Sequence, residues 1–171
     1  MAIGKTPKWG RWDATVLALY LTFASFLWLL YVQSNSNARS WINAFAIAGY
    51  FVVLASHLPY RPSSLKLIWS LLFSVQYLAT VWLVKQPATQ SIHGSWASIL
   101  FTAPIALLLV FVFDRLSIWL HKSHFAMLER GGMDTAITGR SRYQNSDILF
   151  SILCFALPLP IADWIADQII G

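Results

Sequence analysis

The sequence predicts an all-α fold: a polytopic transmembrane helical bundle of four spans with a proline-broken fifth, occupying residues 1–171 as a single membrane domain. Three observations predict it. Hydrophobic residues make up 57% of the chain and charged residues only 11%, against about 25% charged in soluble domains. Four apolar runs have the length of about 20 residues that a hydrocarbon core of about 30 Å demands of a helix. Lys and Arg gather between those runs, on one side of the predicted bundle.

The first run covers 14–32 and follows Lys5, Lys8 and Arg11, an arrangement shared with secretory signals. Ser36, Asn37 and Ala38 even supply small residues at a cleavage-like spacing. The run is 19 residues long, beyond the roughly 7–15 of a signal core, so it reads as an uncleaved first helix. The second, third and fourth runs cover 42–58, 65–84 and 97–120. None alternates apolar with polar residues as a barrel strand does, so helices are the predicted spanning form. Turn chemistry separates them: Gln33 to Asn37, then Pro59, Pro62 and Ser63, then Gln86 and Pro87. Ser63 or Ser64 is expected to cap the third helix, and such short loops make successive helices antiparallel neighbours. The fifth segment, 148–166, carries Pro158 and Pro160 and ends near Asp163, Trp164 and Asp167. It reads as a tilted or kinked span, with an interfacial amphipathic helix through Ile161, Trp164, Ile165 and Ile169 as the rival.

Counting basic residues by loop sets an orientation. Lys5, Lys8, Arg11, Arg61, Lys66, Lys122, Arg130, Arg140 and Arg142 fall on one side, against Arg39 and Lys85 on the other. The N-terminus and the polar loop 121–147 are therefore expected on the cytoplasmic face, in a bacterial inner membrane. All nine Trp fall at predicted helix ends, where indole rings favour the headgroup level. The net charge of +5 follows from this topology, and nucleic acid is not expected as a partner. The lone Cys154 excludes an intramolecular disulfide or a thiolate metal cluster.

Chemistry-bearing residues are few. Asp114, Ser117, His121 and His124 are spaced by three, four and three, so a helix continuing through them would place all four on one stripe. His57, at the inner end of the second span, is expected at a similar depth. Imidazole and carboxylate suit transition metals, so Asp114, His121 and His124 are the candidate metal ligands. His57 opposite His121 or His124 is the only candidate haem pair, since His93 falls in an outer loop. Such residues at the membrane boundary are also commonly solvated side chains. Within the third span Gln76, Ser70, Ser74 and Thr80 are intramembrane polar groups; helix-to-helix bonding is their commoner use. Pro104 frees a carbonyl in the fourth span, and Ala44, Ala48 and Ala55, with Gly49 adjacent, permit close packing. Arg130, Arg140, Arg142 and Tyr143 make the polar loop the expected partner contact.

No GxSxG, HExxH or Walker A motif is present, and no cofactor is expected. These features together predict a small non-catalytic subunit or accessory protein of a larger membrane complex, in contact with the bilayer and with other subunits or copies of itself. Two alternatives are a small oligomeric channel or transporter lined by Gln76, Ser70, Ser74 and Thr80, and a haem- or metal-binding redox subunit using His57 and His121 or His124.

Overall fold

The computed structural model describes residues 11–32, 38–55, 62–91, 94–125 and 145–171. Among them, helices dominate: α1 (Arg11–Val32), α2 (Ala38–Ala55) and α3 (Ser63–Val84) come first. A 3-10 turn (Pro87–Thr89) and two two-residue strands, β1 (Gln90–Ser91) and β2 (Gly94–Ser95), link α3 to a 3-10 helix (Trp96–Phe101). That helix runs directly into α4 (Thr102–His121), and α5 (Asn145–Ala156) and α6 (Pro158–Ile170) complete the chain. The strands pair antiparallel, Gln90 opposite Ser95 and Ser91 opposite Gly94.

The 3-10 helix and α4 form one continuous run of 26 residues. At ~2.0 Å per 3-10 residue and ~1.5 Å per α residue it is about 42 Å long, more than a hydrocarbon core is thick. This run is the axis of the molecule, and α2, α3, α5 and α6 all pack on it. Gly49 explains how closely α2 approaches: a Cβ there would stand 3.6 Å from the Cβ of Ala103. The small-residue surface of α2 is therefore divided. Gly49 and Ala46 face inward, whereas Ala44 and Ala48 are exposed.

The outside of the bundle is apolar and the polar groups lie within. Leu19, Leu67, Val75, Leu78, Leu108, Trp119 and Trp164 are each more than three-fifths exposed, while Thr80, Thr102, Asp114, Ser117, Asp147 and Ser151 are buried. Helices apolar all round belong to a large core or a membrane, and contiguous apolar surface on this scale is rare on soluble monomers.

Among the described residues two helices are long and apolar enough to cross a membrane, Ser63–Val84 and Trp96–His121. A third is added if Ser146–Ala156 and Pro158–Ile170, bent by 43°, form one broken span. Of the four spans and a broken fifth expected from the sequence, length and composition thus support two to three among the described residues. Shorter apolar helical stretches are Asp13–Leu29 in α1 and Arg39–Leu54 in α2.

Two smaller expectations are also revised. Pro62 itself occupies the N-cap of α3, its carbonyl accepting from the N–H groups of Leu65 and Lys66 at 3.0 and 3.1 Å, so Ser63 and Ser64 begin the helix instead of capping it. Trp69 is not an interfacial anchor: it is 3% exposed, stacked on Phe73 at 5.5 Å and edge-on to Tyr20 at 5.4 Å. Trp28, Trp41, Trp82, Trp119 and Trp164 are exposed. Trp28 and Trp82 meet at 5.9 Å, which aligns the C-terminal ends of α1 and α3.

Candidate functional site

The polar centre of the bundle is Gln76, and Pro104 explains why. Proline has no N–H, so Pro104 cannot donate to the carbonyl four residues earlier, that of Leu100. In an apolar interior an orphaned carbonyl costs free energy comparable to a lost hydrogen bond. The Nε2 of Gln76, reaching from α3, donates to the Leu100 oxygen at 2.7 Å. The Oε1 of the same side chain accepts from the hydroxyl of Tyr20 on α1, and Thr80 Oγ1 donates back to the Gln76 carbonyl at 2.7 Å. Tyr20 is held in turn by Phe45, Trp69 and Phe73, at ring separations of 5.0–5.6 Å. The Gln76 amide and the carbonyl at the Pro104 break, two separate signals in sequence, are thus one interaction that ties α1 and α3 to α4.

The same device recurs at the second proline break. Pro158 cannot donate to the Cys154 carbonyl, and the Tyr50 hydroxyl from α2 lies 3.1 Å from both the Cys154 and Phe155 oxygens. The chain is carried through the bend by Leu157 N–H to Leu153 and Ile161 N–H to Leu157, at 3.0 and 3.1 Å. Tyr50 was invisible to sequence reasoning, because a tyrosine in an apolar run carries no signal of which backbone it will meet.

The four polar residues of α3 do not share one face. Gln76 and Thr80 border a cleft between α1 and α3, closed behind by Ile42 and Phe45 of α2 and by Leu100. This cleft has a volume of about 240 Å³ and is lined almost wholly by apolar and aromatic side chains. Ser70 and Ser74 border a shallower groove of about 430 Å³ between α3 and α4, with Tyr77, Pro104 and Leu108. The Ser74 hydroxyl donates to the Ser70 carbonyl at 2.8 Å. Such bonds to the preceding turn satisfy hydroxyls inside apolar helices, and Thr22, Ser25 and Ser151 make them too.

At the far end of α4 the expected stripe does not form, because the helix stops at His121. Lys122 turns into the left-handed region, φ 56 and ψ 28, and reverses the chain. His124 nevertheless reaches Asp114 by this route: its Nδ1 lies 3.0 and 3.1 Å from the two carboxylate oxygens. Asp114 Oδ1 also accepts the backbone N–H of Phe125 at 3.0 Å. Phe125 is buried and packs edge-on against Phe113 and Phe150, which stack on each other at 4.7 Å. His121 goes elsewhere, its Nε2 lying 2.8 Å from Ser146 Oγ at the start of α5. Asp114 and His121 thus serve two different junctions, and Ser117 between them is fully buried, its Oγ without a partner among the described residues. Among the described residues no three His, Cys, Asp or Glu side chains gather as metal ligands would. His57, Arg130, Arg140, Arg142 and Tyr143 lie outside the described residues.

The opposite end is built by residues that sequence reasoning treated as a plain turn. Thr89 Oγ1 lies 2.7 and 2.9 Å from the Leu83 and Gln86 carbonyls, and Gln90 Nε2 donates to the Val84 carbonyl. These side chains satisfy oxygens that the end of α3 leaves without helical partners. Ser95 accepts from the Ala97 N–H and so caps the 3-10 helix. Ser98 Oγ donates to Asp163 Oδ1 at 2.8 Å, fastening α6 across this end. Compared with known protein families, with curated proteins and with solved structures, the chain matches none.

Proposed function

We propose that this chain is a non-catalytic integral membrane subunit, or accessory protein, of a larger membrane complex. On this reading α1 and α2 also lie in the bilayer beside α3 and α4, the broken pair α5 and α6 makes a fifth crossing, and the N-terminus and loop 121–147 face the cytoplasm of a bacterial cell. One observation carries the proposal: the polar side chains best placed for chemistry are spent on the protein's own backbone. Gln76 serves Leu100, Tyr50 serves Cys154 and Phe155, and Asp114 serves Phe125. What is left facing outward is apolar surface, suited to lipid and to neighbouring helices. Extraction in mild detergent, with crosslinkers placed at the exposed Ala44 and Ala48, is expected to yield a defined assembly heavier than the 19.3 kDa chain. A lone monomer that crosslinks to nothing would refute it.

A second reading, a small oligomeric channel, draws support from the open groove bearing Ser70, Ser74 and Tyr77 between α3 and α4. Neighbouring copies would have to complete any polar path there. Ion or solute flux in liposomes that falls on Ser74→Leu would favour it, and absence of flux would end it.

A further inference from the structure

We infer that the exposed face at the C-terminal end of α4, built by Arg115, Trp119 and Lys122, binds the headgroup of an anionic phospholipid, an assignment that rests on the membrane placement proposed above. Charge is distributed unequally between the two ends of the bundle. At the end where α1 and α5 begin and α4 finishes, Asp13, Asp114 and Asp147 are all buried, whereas Arg115 and Lys122 are exposed. Asp114, the carboxylate next to Arg115 in sequence, turns inward to His124 and to the N–H of Phe125. Among the described residues neither Arg115 nor Lys122 has an ion-pair partner. At the opposite end Asp163 and Asp167 are exposed along with Arg39 and Lys85. Exposed positive charge thus stands without an exposed carboxylate only at the first end, among the described residues.

Depth and neighbours decide what this charge meets. Arg115 follows Leu108 and Val112 on the outward side of α4, and Leu116 and Trp119 flank it, the indole 72% exposed. A guanidinium on so apolar a surface is costly in hydrocarbon; it is tolerated near a helix end, where its stem lies along the helix and its head reaches the phosphate layer. Measured along the continuous helix, Arg115 lies about 32 Å from Trp96, at ~2.0 Å per 3-10 residue and ~1.5 Å per α residue. That is close to the ~30 Å of a hydrocarbon core. Trp119 lies about 6 Å beyond Arg115 and Lys122 about 10 Å beyond it, through the headgroup layer. An acidic protein segment in water would meet Lys122 but has no use for Trp119, Leu116 and the apolar surface below Arg115. The complementary molecule carries its negative group at the junction of the apolar and polar zones, as an anionic phospholipid does. Basic side chains at a membrane surface each favour such lipids.

The test uses the full chain, purified in mild detergent and offered equal amounts of phosphatidylglycerol and phosphatidylcholine, with bound lipid counted by native mass spectrometry. Phosphatidylglycerol is expected to be retained in preference. Arg115→Gln and Lys122→Asn are each expected to lower that preference about fivefold, which corresponds to about 1 kcal/mol; asparagine accepts the left-handed conformation of position 122. Arg115→Lys, which keeps the charge, should retain most of the preference, and Lys85→Gln at the opposite end should leave it unchanged. Unaltered helical circular dichroism and a monodisperse elution profile show that a variant has folded, and two variants guard against the loss of one. Equal retention of the two lipids by the unaltered chain, an undiminished preference in the folded variants, or an equal fall in Lys85→Gln would each overturn the assignment. So would displacement of the lipid by inorganic phosphate, or loss of a crosslinked protein partner from the variants with the lipid preference intact. Flotation with phosphatidylcholine vesicles separates the two levels: a chain that floats but shows no preference refutes the headgroup site alone, and a chain that does not float refutes its membrane placement.

Discussion

Replacing Gln76 with Leu removes both cross-helix hydrogen bonds of the bundle centre at nearly constant volume. The Leu100 carbonyl loses its donor at 2.7 Å and the Tyr20 hydroxyl loses its acceptor. Side-chain hydrogen bonds within membranes average about 0.6 kcal/mol and reach about 1.7, while an unsatisfied buried group costs roughly 1–3 kcal/mol. Two bonds, one to an oxygen that Pro104 has already deprived of its helical donor, set the expected loss at about 2 kcal/mol. That is about a thirtyfold shift in the unfolding equilibrium. Unfolding in mixed micelles with increasing SDS, followed by circular dichroism, measures it. The decisive quantity is the coupling to Pro104. Pro104→Ala restores an N–H for the Leu100 oxygen, so Gln76→Leu should cost about 1 kcal/mol less in that background. An equal cost in both backgrounds would show that Gln76 does not serve the proline break.

Four further outcomes follow from the same geometry. Tyr50→Phe withdraws the hydroxyl 3.1 Å from Cys154 and Phe155 and should cost about 1 kcal/mol, an effect reduced by Pro158→Ala and read in the same micelle titration. Asp114→Ala should expose the Phe125 amide to hydrogen exchange and cost about 2 kcal/mol, since bonds to a charged acceptor run about 1.5–3; Asp114→Asn, which keeps an acceptor oxygen, should cost less. Lys122→Gly should raise stability by about 1 kcal/mol, because φ 56 is a conformation that glycine adopts without a Cβ penalty. Gly49→Ala should be tolerated, as its Cβ would sit in ordinary contact 3.6 Å from Ala103. Gly49→Leu should cost about 1–3 kcal/mol by forcing α2 from α4, seen as a lowered thermal midpoint.

Much of the fold was legible because apolar length and proline position are local properties. The runs at 65–84 and 97–120 became α3 and the continuous helix ending at His121, and Pro158 marked the bend between α5 and α6. Gln76 and Pro104 were each read as needing partners, but only the packing of α3 against α4 paired them. The histidines fared differently. Periodicity extends a helix until something stops it, and Lys122, a residue with no special turn propensity, adopts the left-handed conformation that ends α4. His124 therefore reaches Asp114 through a reversed chain and His121 points to α5.

The two proline breaks show why a chain so poor in chemistry keeps polar residues inside. Water can satisfy a broken helix in a soluble protein, but a bilayer offers no substitute, and each freed carbonyl must find a donor within the protein. Leu100 and Cys154 find theirs on other helices, in Gln76 and Tyr50. A local defect in one helix thereby becomes a fixed contact between two, selecting a register that apolar packing alone, with lipid as an equal competitor, would specify weakly. At Gln76 the consequence extends further, because its other end holds Tyr20, which closes the deep end of the α1–α3 cleft. The break in α4 and the shape of the cleft are then two readouts of one side chain. Gln76→Leu should therefore loosen the packing of α1 on α3 as well as lower stability, read as faster hydrogen exchange around Tyr20, whereas Tyr50→Phe, which acts on the other break, should leave that exchange unchanged.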